Sequence, residues 1–302
     1  MEIYDTGCLD YAVHSAPVER LRHRKEGCMQ YGFTIEGGDI QAISELTQEA
    51  EAAGWDGVFI ADAVDIGPWP WFDPWIVLAA MAMRTERIRI GTMITPVPRR
   101  RPWKMARETV TLDHLSGGRL ILGVGLGAAE HDGGFHKVGE AMDIKTRAQR
   151  LDEGLAIMTG LWSGKPFSFT GEHYSVQEMT MLPAPVQSPR IPVWVPGVWL
   201  KPKSMERTLR WDGIIPQKYK SMERMTPAEI KKLKQFVDEH RPQTTRFDIV
   251  VGGQTPGGNR KEAIKKVGAF AKAGATWWLE SLMTSSWDSL RKRVKQGPPR
   301  LE

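Results

Sequence analysis

The sequence predicts an α/β fold, a (β/α)₈ TIM barrel with a small β-hairpin insertion between strands 4 and 5, on three observations. Eight short apolar runs recur along the chain, helix-type patterns with start and stop signals separate them, and no low-complexity linker divides the series. A strand joined to the next strand through a helix requires parallel pairing and a right-handed crossover. Eight such units close a barrel with its active site at the C-terminal ends of the strands. One barrel takes ~250 residues, so the 302-residue chain reads as one domain over residues 29–302 after an N-terminal extension, 1–28, that lacks periodicity.

The strands start at Gln30, Gly57, Ile88, Arg119, Pro192, Gly213, Phe247 and Ala275. After the first, Glu36-Gly37-Gly38 turns and Asp39 caps a helix whose Ile43, Leu46, Ala50 and Ala53 share one face before Gly54 ends it. Asp73-Pro74 and Arg101-Pro102 open the second and third helices, because proline at the first helical position gives up an amide that has no intrahelical partner. Gly117-Gly118 closes the third, which runs to Leu115. Gly125 to Ala141 is a polar, glycine-rich excursion holding His131, Asp132 and His136. A helix from about Thr146 to Trp162 buries Leu151, Leu155, Met158 and Leu161. Phe167 to Val176 alternates around a glycine turn and reads as the inserted hairpin. The strand-helix rhythm resumes at Pro192, with helices to Trp211, from Thr226-Pro227 to His240, from Arg260 to Ala273 and from Trp287 to Lys295.

Composition narrows the class. The chain is 41% hydrophobic and 25% charged, as in ordinary globular proteins. A net charge of +5 raises the question of a polyanion partner. The basic runs Arg20 to Lys25, Arg99 to Lys104, Lys231 to Lys234 and Arg291 to Lys295 carry no nucleic-acid motif and read mainly as solvated faces. Two cysteines, Cys8 and Cys28, fit neither a zinc site nor a disulfide scaffold and point to a reducing, cytoplasmic compartment. No apolar run approaches the ~20 residues of a membrane helix. His131, His136 and Asp132 share no helical face, so no metal site is assigned.

In a barrel, position in sequence becomes position in space: Asp62, Thr92 to Thr95, Gly125 to Gly127, Pro196 to Trp199, Gly252-Gly253 and Glu280 all fall at the mouth. The blocks Arg84-Thr85-Glu86-Arg87-Ile88-Arg89-Ile90-Gly91-Thr92, Thr95-Pro96-Val97-Pro98-Arg99-Arg100-Arg101-Pro102, Leu112-Asp113-His114-Leu115-Ser116-Gly117-Gly118-Arg119 and Gly123-Val124-Gly125-Leu126-Gly127 strongly resemble the luciferase-like, flavin-dependent monooxygenase and oxidoreductase family. So do Arg150-Leu151-Asp152-Glu153-Gly154, Pro192-Val193-Trp194-Val195, Arg210-Trp211-Asp212-Gly213 and Ala273-Gly274-Ala275-Thr276. The likeness covers Met29 to Pro299.

The resemblance implies an α/β barrel with a flavin-type ring, FMN or the 5-deazaflavin coenzyme F420, lying across its mouth. Cofactor contacts are expected from Asp62, Thr92, Met93, Thr95, Gly125, Gly127, Pro196, Gly197, Trp199, Lys201, Gly252, Gly253 and Trp278. Trp199 and Trp277 or Trp278 suit flat walls for a ring, and Gly197 with Lys201 and Lys203 suits a phosphate. Relatives resembling deazaflavin enzymes carry Asp-His at the end of strand two, where this chain has Asp62-Ala63; at the position of Ala128 some of them carry Glu, and others in the FMN branch carry Trp. The catalytic candidates left are Glu280, at the end of an apolar strand, and His131. The reading favours a monooxygenase using reduced FMN and oxygen on a small organic substrate, with a flavin reductase and a homodimer among its partners. Its alternatives are a deazaflavin-dependent dehydrogenase or reductase, a non-catalytic flavin-binding barrel and, last, a polyanion binder.

Overall fold

A computed structural model describes residues 28–68, 70–221, 223–241, 245–281 and 286–301; the extension assigned to residues 1–28 lies outside it except for Cys28, which is exposed. The elements follow in the order β1 (Gln30–Ile35), α1 (Ile40–Ala52), β2 (Gly57–Ile60), α2 (Pro74–Arg84), β3 (Arg89–Pro96), α3 (Pro102–Leu115) and β4 (Leu120–Gly125). Then come α4 (Gly133–His136), α5 (Ile144–Trp162), β5 (Phe167–Thr170), β6 (Ser175–Met179), β7 (Val193–Val198), α6 (Pro202–Leu209), β8 (Gly213–Gln217) and α7 (Pro227–His240). The last are β9 (Asp248–Gly253), α8 (Arg260–Lys272), β10 (Trp277–Glu280) and α9 (Trp287–Lys295).

Eight strands close a parallel barrel in the order β1-β10-β9-β8-β7-β4-β3-β2, and β5 and β6 form the separate two-stranded hairpin between the fourth and fifth barrel strands. The barrel and its insertion are those expected. Local chemistry fixes the helix starts: Asp39 accepts from the amides of Gln41 and Ala42, Asp73 from those of Trp75 and Ile76, and Thr226 with Glu229 forms a capping box. The hairpin turn is held by Glu153 of α5, whose carboxylate accepts from the amides of Glu172, His173 and Tyr174. At the base of the barrel, the buried Arg119 guanidinium donates to the carbonyls of Ala82, Thr85, Ile88 and Ser116, tying α2, β3 and α3 together.

The large core lies between the strands and the helical layer, and a smaller one fills the barrel itself. Among the described residues no helix is long and apolar enough to cross a membrane.

Candidate active site

The inner core consists of Phe59, Ile121, Trp194, Val250, Trp277 and Leu279, with Met93 and Ile215 at its edge. Phe59, Trp194 and Trp277 come from β2, β7 and β10, which are not neighbours, so their rings can meet only across the lumen; the centroids lie 5.1–5.8 Å apart. Trp194 Nε1 donates to Asp248 Oδ2 at 3.2 Å. These aromatic rings plug the barrel. Above the plug, toward the strand C-terminal ends, Met93, Ile94, Pro196 and Ile215 are half-buried, and Gly252 is exposed. The mouth therefore has a shallow apolar floor over a closed base, a shape that suits a flat ring laid across it.

The glycines divide sharply. A Cβ on Gly125 would collide with Ile94, on Gly127 with Phe135, on Gly197 with Ile214 and on Gly253 with Trp278. These four are glycines because protein side chains fill the space beside them. Gly252 differs: the nearest atom to its Cβ position is Leu279 O, at 3.6 Å, and the rest is open. Thr92 Oγ1 donates to Gly123 O at 2.8 Å, and Thr95 is buried with no partner for its hydroxyl among the described residues. Thr95 pairs in register with Val124, which belongs to the outer core.

Three expectations need correction. Glu280 does not face the lumen. Trp277 and Leu279 occupy the inward positions of β10, so Trp278 and Glu280 point outward, as the period of two requires. Glu280 accepts from Trp278 Nε1 at 2.9 Å and from Thr255 Oγ1 at 3.0 Å, and Arg293 of α9 lies 3.6 Å away. Trp278 is likewise no wall of the mouth, since it packs against Phe270 of α8 with ring centroids 5.5 Å apart. Trp199 packs edge-on against Phe236 of α7, at 5.8 Å, among residues of the outer core.

Asp62 is buried, and its carboxylate is engaged by two guanidinium groups: Arg99 Nη2 donates to Oδ1 at 2.8 Å, and Arg100 Nε and Nη2 donate at 2.9 and 2.8 Å. Arg99 also pairs with Asp132, whose Oδ1 accepts from the amides of Val64, Asp65 and Gly134. Burial pushes the Asp132 carboxyl up, but these amides and Arg99 outweigh it and hold the group below the ordinary carboxylate range. Arg99 and Arg147 both lie over the Phe135 ring, and Arg147 donates to the carbonyls of Leu126 and Gly127. The loops after β2, β3 and β4 are thus laced into one rigid side of the mouth. His131, His136 and Ala128 lie on its exposed surface. Among the described residues no group of three or more His, Cys, Asp and Glu side chains is placed to hold a metal.

On the opposite side, Lys201 is the N-cap of α6, whose first turn has no side-chain cap, and Lys201 and Lys203 are exposed. One residue escaped the sequence reading. On β1, Tyr31, Phe33 and Ile35 belong to the outer core, whereas a Cβ at Gly32 would meet Leu279 and Phe59 of the inner one. The inward series Gln30, Gly32, Thr34 leads at the same spacing to Glu36 on the rim. Glu36 is exposed to solvent, and partial desolvation by its neighbours raises its carboxyl above the ordinary range. The signal was that spacing, obscured because Glu36 begins what reads as a turn.

A family model described as luciferase-like monooxygenase matches residues 24–299. The F420-dependent glucose-6-phosphate dehydrogenase of Gordonia bronchialis is 35% identical over 179 residues, 55% of this chain and 51% of that protein. The oxygenase component of a flavin-dependent trigonelline monooxygenase from Acinetobacter baylyi is 32% identical over 155 residues, 50% of this chain and 41% of that protein. The chain spans about half the length of the curated relatives it matches. Among solved structures, an F420-dependent secondary alcohol dehydrogenase in complex with an F420-acetone adduct superposes with a TM-score of 0.74 at 17% identity, over 90% of this chain and 98% of that one. The monooxygenase RslO1 from Streptomyces bottropensis gives 0.70 at 18% identity, over 89% and 97%. At such identities these structures bear on the fold alone.

Proposed function

Because the chain belongs to the luciferase-like monooxygenase family, we propose that it is a flavin-dependent oxidoreductase that holds a flat redox cofactor across its barrel mouth and acts on a small organic substrate. The observation that carries this reading is the half-exposed apolar floor above the Phe59–Trp194–Trp277 plug, with Gly252 open beside it. The plug leaves no depth for a ligand inserted end-on. Backbone at Gly252 is free to approach a ring, and Met93, Ile94, Pro196 and Ile215 supply its apolar bed. Lys201, Lys203 and the uncapped start of α6 offer cations and amides to a phosphate.

When bound, the cofactor supplies the redox chemistry, either reduction of oxygen or hydride exchange with the substrate. The chain's own residues position the ring and keep water out from below. Glu36, with its raised carboxyl, is the rim group able to hold a proton and pass it on. Asp62 acts at one remove, by fixing Arg99 and Arg100.

FMN with oxygen is the first reading, because Ala63 provides no imidazole at the end of β2. Hydride transfer through F420 is the second, favoured by the relative from Gordonia bronchialis. A flavin reductase, a homodimer and a cytoplasmic setting accompany the first reading as proposals. Titration with FMN, reduced FMN and F420 tests both: preference for reduced FMN supports the first, and preference for F420 overturns it for the second. Tight flavin binding with no substrate-dependent reoxidation across a substrate panel would point to a non-catalytic barrel.

A further inference from the structure

Beside the apolar floor, where β1 and β2 end, lies a small cavity that no step described so far uses. Its inner side is formed by Ile35, Ile60 and Val77 of the outer core, and its solvent side by Trp71 and Phe72, from the loop between β2 and α2. The centre of a water-sized sphere can move through about 20 Å³ of it, which is room for one water molecule. A buried water needs at least about two polar partners, and among the described residues no polar side chain lines the cavity. The space suits a small apolar group instead.

Two observations set it apart from a packing gap. The loop after β1 leaves it open: near the Cβ position of Gly37 lie only Pro70 O, at 3.8 Å, and a Trp71 ring atom, at 4.0 Å, whereas a Cβ on Gly38 would run into Trp287. Phe72 keeps 40% of its surface exposed and Trp71 is half-buried, so two aromatic side chains stand at the surface around it.

The cavity also reaches the mouth. Ala61, half-buried, belongs to its wall and follows the inward-facing Phe59 at the spacing of two, which places it on the lumen side of β2. Ile35 and Gly37, both in the wall, flank Glu36 in the chain. The rim around the mouth has the same character, since Val64, Val138, Met142 and Leu200, on the loops after β2, β4 and β7, are all exposed.

We propose that this cavity is a substrate pocket for a short, uncharged alkyl group, and that a substrate anchored there crosses the lip at Ala61 and presents its reacting end to Glu36 and the cofactor ring. This rests on the flavin reading and gives its substrate a class: an uncharged molecule with an aliphatic end.

The test uses 1-butanol as the probe and butyrate, its charged counterpart of equal length, as the control. NMR of protein labelled at alanine and isoleucine methyl groups reads the cavity through Ala61, Ile35 and Ile60. The expected result is that 1-butanol shifts these three signals saturably, about fourfold more tightly than 1-propanol for the added methylene, and that butyrate leaves them in place. In protein loaded with FMN or F420, whichever binds, 1-butanol also shifts the cofactor's absorption with the same midpoint. Ala61→Leu fills the lip and abolishes both responses. Phe72→Ala, at an exposed position, keeps the fold and moves the tightest-binding alcohol to a longer chain. No saturable shift in wild type, equal shifts with butyrate, or an unaltered response in both variants overturns the pocket. Methyl shifts with an unchanged cofactor spectrum make it a void in the core and overturn its role in the site. Failure of FMN, reduced FMN and F420 alike to bind wild type overturns the flavin reading instead, and the methyl shifts then decide the pocket alone.

Discussion

Replacing Asp62 with Ala removes the acceptor of three short guanidinium hydrogen bonds and leaves Arg99, whose side chain is 7% exposed, paired with Asp132 alone. Deleting one member of a buried ion pair costs about 3–5 kcal/mol, most of it the cost of stranding the remaining charge. Arg100 is 20% exposed and regains water, so the lower end of the range applies, about 3 kcal/mol. At ~2–4 °C per kcal/mol for a chain of this size, that lowers the melting temperature by roughly 10 °C. Thermal unfolding of the cofactor-free protein reads the loss, and a flavin titration well below the new melting temperature reads the site. The expected pattern is a large loss of stability with cofactor affinity changed by only about threefold, roughly 0.6 kcal/mol. An unchanged melting temperature with affinity lost tenfold or more would instead make Asp62 a cofactor ligand.

Other outcomes follow from the same geometry. Gly252→Val should melt within about 1 kcal/mol of wild type yet lose flavin binding, whereas Gly253→Ala, driven into Trp278, should lose stability by ~1–3 kcal/mol; equal flavin affinity in Gly252→Val and wild type would place the ring elsewhere. Glu280→Gln should cost ~2–3 kcal/mol by disturbing Arg293, Thr255 and Trp278, with turnover per folded molecule unchanged; lost turnover at an unchanged melting temperature would return Glu280 to the site. Glu36→Gln should keep cofactor binding and lose the pH limb of turnover set by its raised carboxyl. The same group favours the folded state at low pH, and that contribution fades as pH rises through the raised value, so the glutamine variant should show a flatter stability profile in that range; identical pH profiles in both proteins would remove Glu36 from proton handling.

What the sequence made legible was the rhythm. Caps such as Asp39, Asp73-Pro74 and Thr226 and stops such as Gly54 and Gly117 are local chemistry, and they place the helices and hence the strands between them. Facing was not legible. Barrel strands are buried on both sides, so Trp277-Trp278-Leu279-Glu280 shows no alternation of polarity, and a shift of one residue turns every side chain over. Both facings of β10 therefore fit the sequence, and only the contacts of Glu280 with Thr255 and of Trp278 with Phe270 turn these two side chains away from the mouth. Glycines carry the same ambiguity: only the neighbours, Ile94, Phe135, Ile214 and Trp278, separate the packed Gly125, Gly127, Gly197 and Gly253 from the open Gly252. The arginine pairing of Asp62 joins residues more than thirty positions apart and leaves no local trace.

The central claim is that a flavin-type ring rests on the floor beside Gly252. Equilibrium titration of wild type and Gly252→Val with FMN, reduced FMN and F420, followed by the ring's own fluorescence or absorbance, tests it most directly. The expected result is saturable binding of at least one of these to wild type and its loss in Gly252→Val while the fold is kept. Absence of binding by all of them, or equally tight binding by the valine variant, would contradict it.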